Sequence, residues 1–286
     1  MRFTKMQGTG NDYVYVSLFD EEVRDPAALA RLVSQPHFGV GSDGLILIGP
    51  SDIADFRMRI FNIDGSEGEM CGNACRCVGK YVYERGLTDR TELTLETGAG
   101  ERRLSLIVRD GRVERVTVNM GRPELLPAAI PVDLPGDSAV GCPLTVGGAE
   151  VTVTCVSMGN PHAVIFTDDL SDALVHRLGP MVEHHPAFPH RTNVEFACVE
   201  QPGRLRVRVW ERGCGETQAC GTGACAVLVA AVLTGRAPRE ADVTLPGGTI
   251  RVSWLADGSV IQTGPADFVF DGELPDSVSE GGKAAC

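Results

Sequence analysis

A short pattern that occurs twice in this chain constrains its fold more than any other feature. Residues 71–74 and 220–223 both read Cys-Gly-polar-small, and each copy follows an acidic, glycine-rich loop. The two copies lie about half the chain apart, and a helix-like segment begins at each of them. This spacing predicts an internal duplication, in which two similar strand-and-helix units each contribute one cysteine.

The two helical segments are predicted over 72–85 and 221–235, and they are the only long helices that the pattern indicates. The second contains almost exclusively Ala, Val, Leu and Cys, so we expect it to be buried on every side within a layer of strands. In the first, the pattern places Lys80, Glu84 and Arg85 on an outward face. A shorter helix is predicted over 26–34, where proline occupies the first turn.

Strand signals dominate the rest of the chain, which predicts an α+β fold. Residues 204–211 alternate strictly between apolar side chains and arginines, as expected for a strand with one solvated face. A proline-rich stretch over 121–136 is the expected boundary between two halves. The predicted strands are 12–18, 55–63, 91–97, 102–109, 112–120, 150–157, 163–167, 204–211, 242–245, 249–255 and 259–263.

Composition narrows the class of protein and its partners. The chain has 286 residues and a net charge of −12, which argues against a nucleic-acid partner because an acidic surface repels phosphate. No apolar run is long enough to cross a bilayer, and no signal peptide is evident, so we expect a cytoplasmic protein without a membrane partner. The small, polar tail at 277–286 is expected to be disordered.

Ten cysteines require an explanation, and a disulfide framework is not it, because the chain is long and lacks a secretory signal. Zinc ligation is disfavoured because the cysteine spacings include no CxxC pair, so no metal site is expected. Most of the thiols are expected to be buried small hydrophobic groups. That interpretation suits Cys77, Cys142, Cys155, Cys198 and Cys225.

The duplicated cysteines, Cys71 and Cys220, call for a chemical interpretation. A thiol just before a helix N-terminus lies at the positive end of the helix dipole, which lowers its pKa and favours the thiolate. The free backbone N–H groups that follow can bind a carboxylate. They belong to Gly72 and Asn73 in one copy, and to Gly221 and Thr222 in the other.

Two acid–base groups on opposite faces of one carbon are what racemases and epimerases need. One thiolate removes the α-proton and the other thiol delivers a proton to the opposite face. No cofactor is expected, because none of the three lysines lies in a phosphate-binding loop. A cysteine hydrolase is the competing interpretation, since His162 offers a base, but a single histidine after a proline turn is more often structural.

Several segments resemble the diaminopimelate epimerase family. Residues 61–73 and 211–223 are similar to its two signatures, and 5–12, 157–162, 191–193 and 245–248 also match, in order, over residues 1–272. The resemblance implies two pseudo-symmetric domains, each a mostly antiparallel, barrel-like sheet around a central helix, with the active site in the cleft between them. It implies domains 1–121 and 122–263, with a returning strand at 264–274 in the first.

The resemblance also implies an activity and a set of site residues. The activity is cofactor-independent epimerisation of LL- to meso-diaminopimelate, a step of lysine and peptidoglycan precursor synthesis. It assigns Cys71 and Cys220 as the acid–base pair. It implies that the reacting carboxylate is held by Gly72, Asn73, Gly221 and Thr222. The far amino-acid end is then held by Asn62, Asn160, Asn193 and Arg212, with Glu211 on its amine. Asn11 and His162 are implied to line the site.

Two positions depart from the family pattern. Some relatives carry Gln where this chain has Gly44, so one contact to substrate is expected to be absent from this lining position. Cys75 replaces a small residue, and we expect it to pack inertly within the helix.

Three alternatives remain open from the sequence. A proline or hydroxyproline racemase shares the two-thiol logic but would leave Asn160, Asn193, Glu211 and Arg212 without a role. The second is a binding or isomerase module of the same fold, which would not need both thiols. The third is a zinc-binding protein, which metal analysis of the purified chain would detect. A homodimer is a further expectation, and a Cys71–Cys220 disulfide is a plausible inactive form under oxidation.

Overall fold

The computed structural model describes residues 1–275, so the predicted disordered tail at 277–286 lies outside the described residues. Within this range the chain forms two compact units. The first comprises Met1–Val118 together with the segment from Gly264 onward, and the second comprises Asn119–Thr263.

The secondary structure alternates short strands with four helices in the described range. In chain order the first elements are β1 (Arg2–Gly8), β2 (Asn11–Ser17), α1 (Pro26–Val33), β3 (Gly44–Gly49), β4 (Phe56–Asn62), β5 (Glu67–Gly68), α2 (Gly72–Glu84), β6 (Glu92–Thr97), β7 (Gly100–Arg109) and β8 (Arg112–Gly121). The remaining elements are β9 (Cys142–Val146), β10 (Ala149–Ser157), β11 (Pro161–Phe166), α3 (Asp172–Glu183), β12 (Asn193–Gln201), β13 (Arg204–Glu211), β14 (Gly215–Thr217), α4 (Gly221–Leu233), β15 (Glu240–Leu245), β16 (Gly248–Trp254), β17 (Val260–Gly264) and β18 (Asp267–Glu273).

The two units repeat one strand order. In the first unit the order is β18-β1-β2-β3-β4-β6-β7-β8, antiparallel except for the parallel pairs β2/β3 and β4/β6. In the second it is β9-β10-β11-β12-β13-β15-β16-β17, antiparallel except for β11/β12 and β13/β15. A short strand, β5 or β14, adds to β4 or β13 just before α2 or α4. The predicted duplication and α+β fold are therefore confirmed.

A helix occupies the middle of each unit. The apolar helix α4 packs against β10, β11, β12, β15 and β16, and its residues from Gly223 to Ala231 are buried. Burial on all sides satisfies its uniformly apolar sequence, as predicted. In the first unit α2 packs against β1 and β7, and it is buried from Gly72 to Gly79. Each central helix thereby fixes the position of the cysteine that precedes it.

The outward face predicted for α2 is wrong for Lys80 and Glu84, although Arg85 is exposed as predicted. The side chain of Lys80 is only 12% exposed and that of Glu84 19%, and the two form an ion pair at 3.0 Å. The Lys80 ammonium also donates to the Val113 backbone oxygen at 2.6 Å. Their long aliphatic stems cover apolar surface while their charged ends bind partners. Helical periodicity in the sequence does not reveal this kind of burial.

Helix α3 is a third long helix that the sequence pattern did not indicate. Pro180 lies inside it and breaks the periodic pattern, although Ser171 caps its N-terminus by accepting from the Leu174 N–H at 3.3 Å. Gly179 also weakens the helical signal, but it is required by packing, since a Cβ there would lie 2.7 Å from the Trp210 ring. Tertiary contacts therefore outweigh local propensity in α3.

Six strands were also not predicted, namely β1, β3, β9, β12 and the short strands β5 and β14. β3 is buried at every position and pairs in parallel with β2, so it shows a continuous apolar run in place of alternation. The prediction that Cys198 is buried is wrong as well, because it is half-exposed near the end of β12.

In the described part of the chain, no helix combines the length and apolar character required to span a bilayer.

Candidate active site

In the first unit the candidate site residues surround Cys71, which occupies the N-cap position of α2. Its backbone is extended, with φ −137° and ψ 118°, and its carbonyl accepts the Cys75 N–H at 2.9 Å, which begins the helix. The half-buried thiol donates to Asn11 Oδ1 at 3.4 Å. Buried Asn73, in the first turn, donates to the same oxygen at 3.4 Å. Three predicted site residues therefore meet at this helix start.

Asp43 fixes the orientation of Asn11. Its Oδ2 accepts from Asn11 Nδ2 at 2.6 Å and from the Asp12 N–H at 3.0 Å. Burial raises the pKa of the Asp43 carboxyl, and the nearby Asp12 carboxylate adds to the effect. Because the amide nitrogen of Asn11 is held by Asp43, its oxygen points to Cys71. Asp43 was not among the predicted site residues.

In the second unit the candidate site residues surround Cys220, the residue that caps α4. Its backbone is also extended, with φ −118° and ψ 112°, but its sulfur has different partners. Sγ accepts the Gly223 N–H at 3.3 Å and lies 3.3 Å from Thr222 Oγ1. Cys220 is 6% exposed, so it is less accessible than Cys71. The matching helix starts thus present two thiols in unlike surroundings.

The lowered pKa predicted for a thiol at a helix start is wrong for Cys220. Burial raises the pKa of the Cys220 thiol well above its usual range, and the carboxylates of Glu211 and Glu195 add to the rise. Hydrogen bonds from Thr222 and Gly223 act in the opposite direction but are weaker. Desolvation and like charge therefore outweigh the helix dipole at this position.

Behind Cys220 lies a fully buried pair, His162 and Glu195. His162 Nδ1 lies 2.7 Å from Glu195 Oε1, and Nε2 lies 2.9 Å from Asn160 Oδ1. Glu195 Oε2 has no hydrogen-bond partner among the described residues. The α4 residue Gly223 leaves room for this pair, because a Cβ there would lie 2.7 Å from Glu195 Oε1. A ring nitrogen of His162 thus lies within 4.8 Å of the Cys220 sulfur.

His162, Glu195 and Cys220 also form the one group of metal-ligand type in the described residues. Their ligand atoms lie within 4.8 Å of one another and all three residues are buried. Both ring nitrogens of His162 already contact oxygen atoms, so a metal ion would have to displace one of these contacts. The arrangement suits proton chemistry at Cys220 better than ligation of a resident ion.

The residues predicted for the far end of the substrate lie at strand ends. Asn193 begins β12 beside His162, donates to the Pro161 oxygen at 3.0 Å and accepts the Arg212 N–H at 2.9 Å. The Arg212 side chain is exposed and donates to the His190 oxygen at 3.2 Å. The half-buried Glu211 accepts a hydrogen bond from Thr217.

Comparison with known proteins places this chain in a family. The family model for diaminopimelate epimerase matches residues 3–126 and 154–269. The chain is 54% identical over 275 residues to the diaminopimelate epimerase of Acetivibrio thermocellus, covering 96% of this chain and 98% of that one. It is 55% identical over 280 residues to that of Desulfovibrio desulfuricans, with the same coverage.

This chain belongs to the diaminopimelate epimerase family. It is therefore an epimerase, an enzyme of the isomerase class. Solved structures share the fold at lower identity: a hydroxyproline epimerase from Agrobacterium vitis matches with a TM-score of 0.70 and 19% identity, over 95% of this chain and 91% of that one. A probable proline racemase from Agrobacterium radiobacter K84 matches with a TM-score of 0.70 and 18% identity, over 99% and 96%.

The backbone at position 44 explains why this chain has glycine where some relatives have glutamine. Gly44 is buried and has φ +155°, and it pairs with Asn62 across β3 and β4. A Cβ at this position would lie 2.1 Å from the Phe61 backbone oxygen. A glutamine here would therefore require a different backbone. Exposed Asn62 donates to Ser66 Oγ at 3.0 Å, which closes the loop that leads to Cys71.

Two residues next to the candidate site residues, Asp43 and Glu195, were not predicted from the sequence. Asp43 lies between Ser42 and Gly44, in a segment singled out only for its glycine. Glu195 lies in β12, which was not predicted, and an acidic residue in an otherwise apolar run was the available signal. Cys75 is fully buried, and burial raises its pKa to about 12, which confirms the inert packing predicted for it.

Proposed function

We propose that this enzyme interconverts LL- and meso-2,6-diaminopimelate by moving the α-proton between two thiols without a cofactor. The observation that carries the proposal is the placement of Cys71 and Cys220. Each is the N-cap of the central helix in one of two units with the same strand order. Family membership supports the substrate, since the similar proteins are named diaminopimelate epimerases.

In the proposed reaction one sulfur acts as base and the other as acid. The raised pKa of Cys220 suits it to act as the thiol that delivers a proton. Cys71 is then the thiolate that removes the α-proton, and the roles exchange in the reverse direction. The N–H groups of Gly72 and Asn73, with those of Gly221 and Thr222 where they are free, stabilise the carboxylate as negative charge develops on it.

The far end of the substrate carries a second carboxylate and a second ammonium. Arg212 suits the carboxylate because a guanidinium can form two parallel hydrogen bonds to it, and Glu211 suits the ammonium. The amide side chains assigned to this end both donate and accept, which discriminates against substrates without a second amino-acid group. They are Asn62, Asn160 and Asn193.

The decisive experiment is incubation of the purified enzyme with LL-diaminopimelate in deuterated water. We expect meso-diaminopimelate to form with solvent deuterium at the α-carbon, while proline and hydroxyproline incorporate none. Cys71→Ala and Cys220→Ala should abolish product formation, and Cys198→Ala, at a half-exposed cysteine, should retain it. Absence of both isomer and deuterium would refute the assignment, and a normal rate in Cys71→Ala would refute the two-thiol mechanism.

The same proposal covers the surroundings of the enzyme. We place the reaction in lysine and peptidoglycan precursor synthesis, in the cytoplasm, with a small-molecule substrate and no nucleic-acid or membrane partner. Domain boundaries at 1–121 and 122–263, with a returning segment at 264–274, remain predictions. A homodimer is a further prediction. Two apolar side chains on β18 are exposed, Val269 by 54% and Phe270 by 47%. Sedimentation of Phe270→Glu and of the parent, compared for their oligomeric state, tests whether association uses this strand.

A further inference from the structure

An arginine is completely buried in the central helix that follows Cys71. Arg76 is 0% exposed, and it stands five residues after the cysteine. Side chains on a helix lean toward its N-terminus, so the guanidinium lies near the first turn of α2. The residue at the matching position after Cys220 is Cys225, which is uncharged as a thiol. The buried cation therefore belongs to one half of the duplication only.

The guanidinium occupies a space that two glycines leave open. A Cβ on Gly8 would lie 3.2 Å from Arg76 Nη2 and 3.1 Å from the Asn73 backbone oxygen, so the cation borders the first turn of the helix. A Cβ on Gly264 would lie 2.9 Å from Arg76 Nε. Arg76 Nε also donates to the Pro265 oxygen at 3.0 Å. This close fit holds the charge in one place.

Arg76 also braces the turn that carries Asn11. Its Nη2 donates to Thr9 Oγ1 at 2.9 Å. Thr9 has φ +55°, an unfavourable backbone conformation for a β-branched residue, and Gly10 follows with φ +82°. The next residue, Asn11, accepts the hydrogen bond of the Cys71 thiol. A strained turn held by a buried cation thus presents the partner of the reactive sulfur.

Three groups that interact electrostatically with Cys71 are uncharged near neutral pH, whereas the Asp43 carboxyl is linked to Cys71 through Asn11. Burial raises the pKa of Tyr15, on β2, well above its usual range. Burial also raises the pKa of Cys75 and of Cys77, both on α2, to about 12. Although burial lowers the pKa of Arg76, a guanidinium keeps its proton in proteins. Among the four groups on β2 and α2, the guanidinium alone supplies a full charge.

We propose that Arg76 is a positioning residue for Cys71, which makes this sulfur the thiolate of the pair. The guanidinium favours the negative sulfur by its charge, which opposes the effect of the Asn11 oxygen, an acceptor that favours the protonated thiol. It also holds the Thr9–Asn11 turn, and with it this oxygen, in place. This inference rests on the proposed acid–base role of Cys71. It explains how two matching helix starts differ in proton affinity.

The test measures the reactivity of Cys71 without any substrate. Iodoacetamide alkylation at Cys71 is followed by mass spectrometry from pH 6 to 9 in the parent enzyme and in Arg76→Met, Arg76→Gln and Arg76→Lys. The neutral variants should move the midpoint up by about one pH unit, which slows alkylation at pH 7 about tenfold. Arg76→Lys should stay within about threefold of the parent, because it retains the charge.

Arg85→Met, the same change at the exposed end of α2, is the matched control and should leave the profile unchanged. Thermal unfolding shows which variants fold, and Arg76→Gln remains informative where Arg76→Met does not fold, because its amide can still donate to Thr9. A folded neutral variant whose Cys71 profile equals that of the parent, or reacts faster, overturns the inference. Because no diaminopimelate is involved, that outcome is separate from a failure of the proposed reaction.

Discussion

The carboxylate behind Cys220 offers a quantitative test of how this site sets proton affinity. Glu195→Gln removes a negative charge while retaining a similar side-chain volume. The Glu195 oxygen and Cys220 Sγ lie within 4.8 Å of each other. A unit charge at 4.8 Å changes the free energy of thiol ionisation by about 0.9 kcal/mol at a dielectric constant of ~80 and by about 3.5 kcal/mol at ~20.

The hydrogen bond between His162 and Glu195 draws negative charge away from the sulfur, so the lower part of that range applies. We expect the pKa of Cys220, which is raised in the parent, to fall by about one unit in Glu195→Gln. The sign follows from the removal of a group that opposes the thiolate. At neutral pH the fraction of thiolate, and with it the alkylation rate at Cys220, should rise about tenfold.

The assay is alkylation with iodoacetamide across a pH series, with the modified site located by fragmentation of the peptide that contains Cys220. The exposed Cys214 in the same peptide provides an internal reference for reagent and pH. Glu183→Gln is the matched control, because Glu183 is a buried carboxylate of the same unit that binds Trp210 Nε1 at 2.8 Å. A folded Glu195→Gln enzyme whose Cys220 midpoint stays in place or rises would refute the reasoning.

Three further outcomes are expected. Gly223→Ala puts a Cβ 3.3 Å from Cys220 Sγ. This overpacking should lower the free energy of unfolding, measured with denaturant, by about 1–3 kcal/mol, and it should also lower kcat. An unchanged kcat would count against this account. Gly44→Ala should lower Tm more than Gly100→Ala, since a Cβ at 44 meets a backbone oxygen at 2.1 Å while the space at 100 is open; equal shifts would show that backbone conformation alone matters. Air oxidation should inactivate the enzyme through a Cys71–Cys220 disulfide, and activity that a reductant does not restore would contradict this.

The sequence allowed prediction of the parts of the fold that local periodicity determines. The limits of α2 and α4 agree with the predicted segments to within two residues, because each begins at a Cys-Gly cap. In α4 a continuous run of apolar residues adds to this signal. Helix α3 was missed, since its stability comes from packing against Trp210 and not from propensity. β3 was missed because a strand covered on both faces does not alternate.

At the site, the identity of the residues could be predicted better than their electrostatics. The pairing of Cys71 with Asn11 joins residues 60 positions apart, yet both belong to recognisable motifs. The raised pKa of Cys220 could not be predicted, because desolvation and the carboxylate of Glu195 depend on how β12 packs beside α4. The helix dipole is a local effect that the sequence reveals, whereas burial and the neighbouring carboxylate, which have the larger effect on this pKa, depend on the fold.

The repeated strand order has a consequence for how such an enzyme can evolve. In an assembly of two identical chains, every substitution would appear beside both thiols, and their proton affinities would remain equal. In a single chain that contains both copies, a substitution changes one copy only. Arg76 stands where the other copy has Cys225, so a full charge lies buried near one thiol and not in the matching place near the other. A single chain that carries both copies thus allows the two thiols to differ in proton affinity.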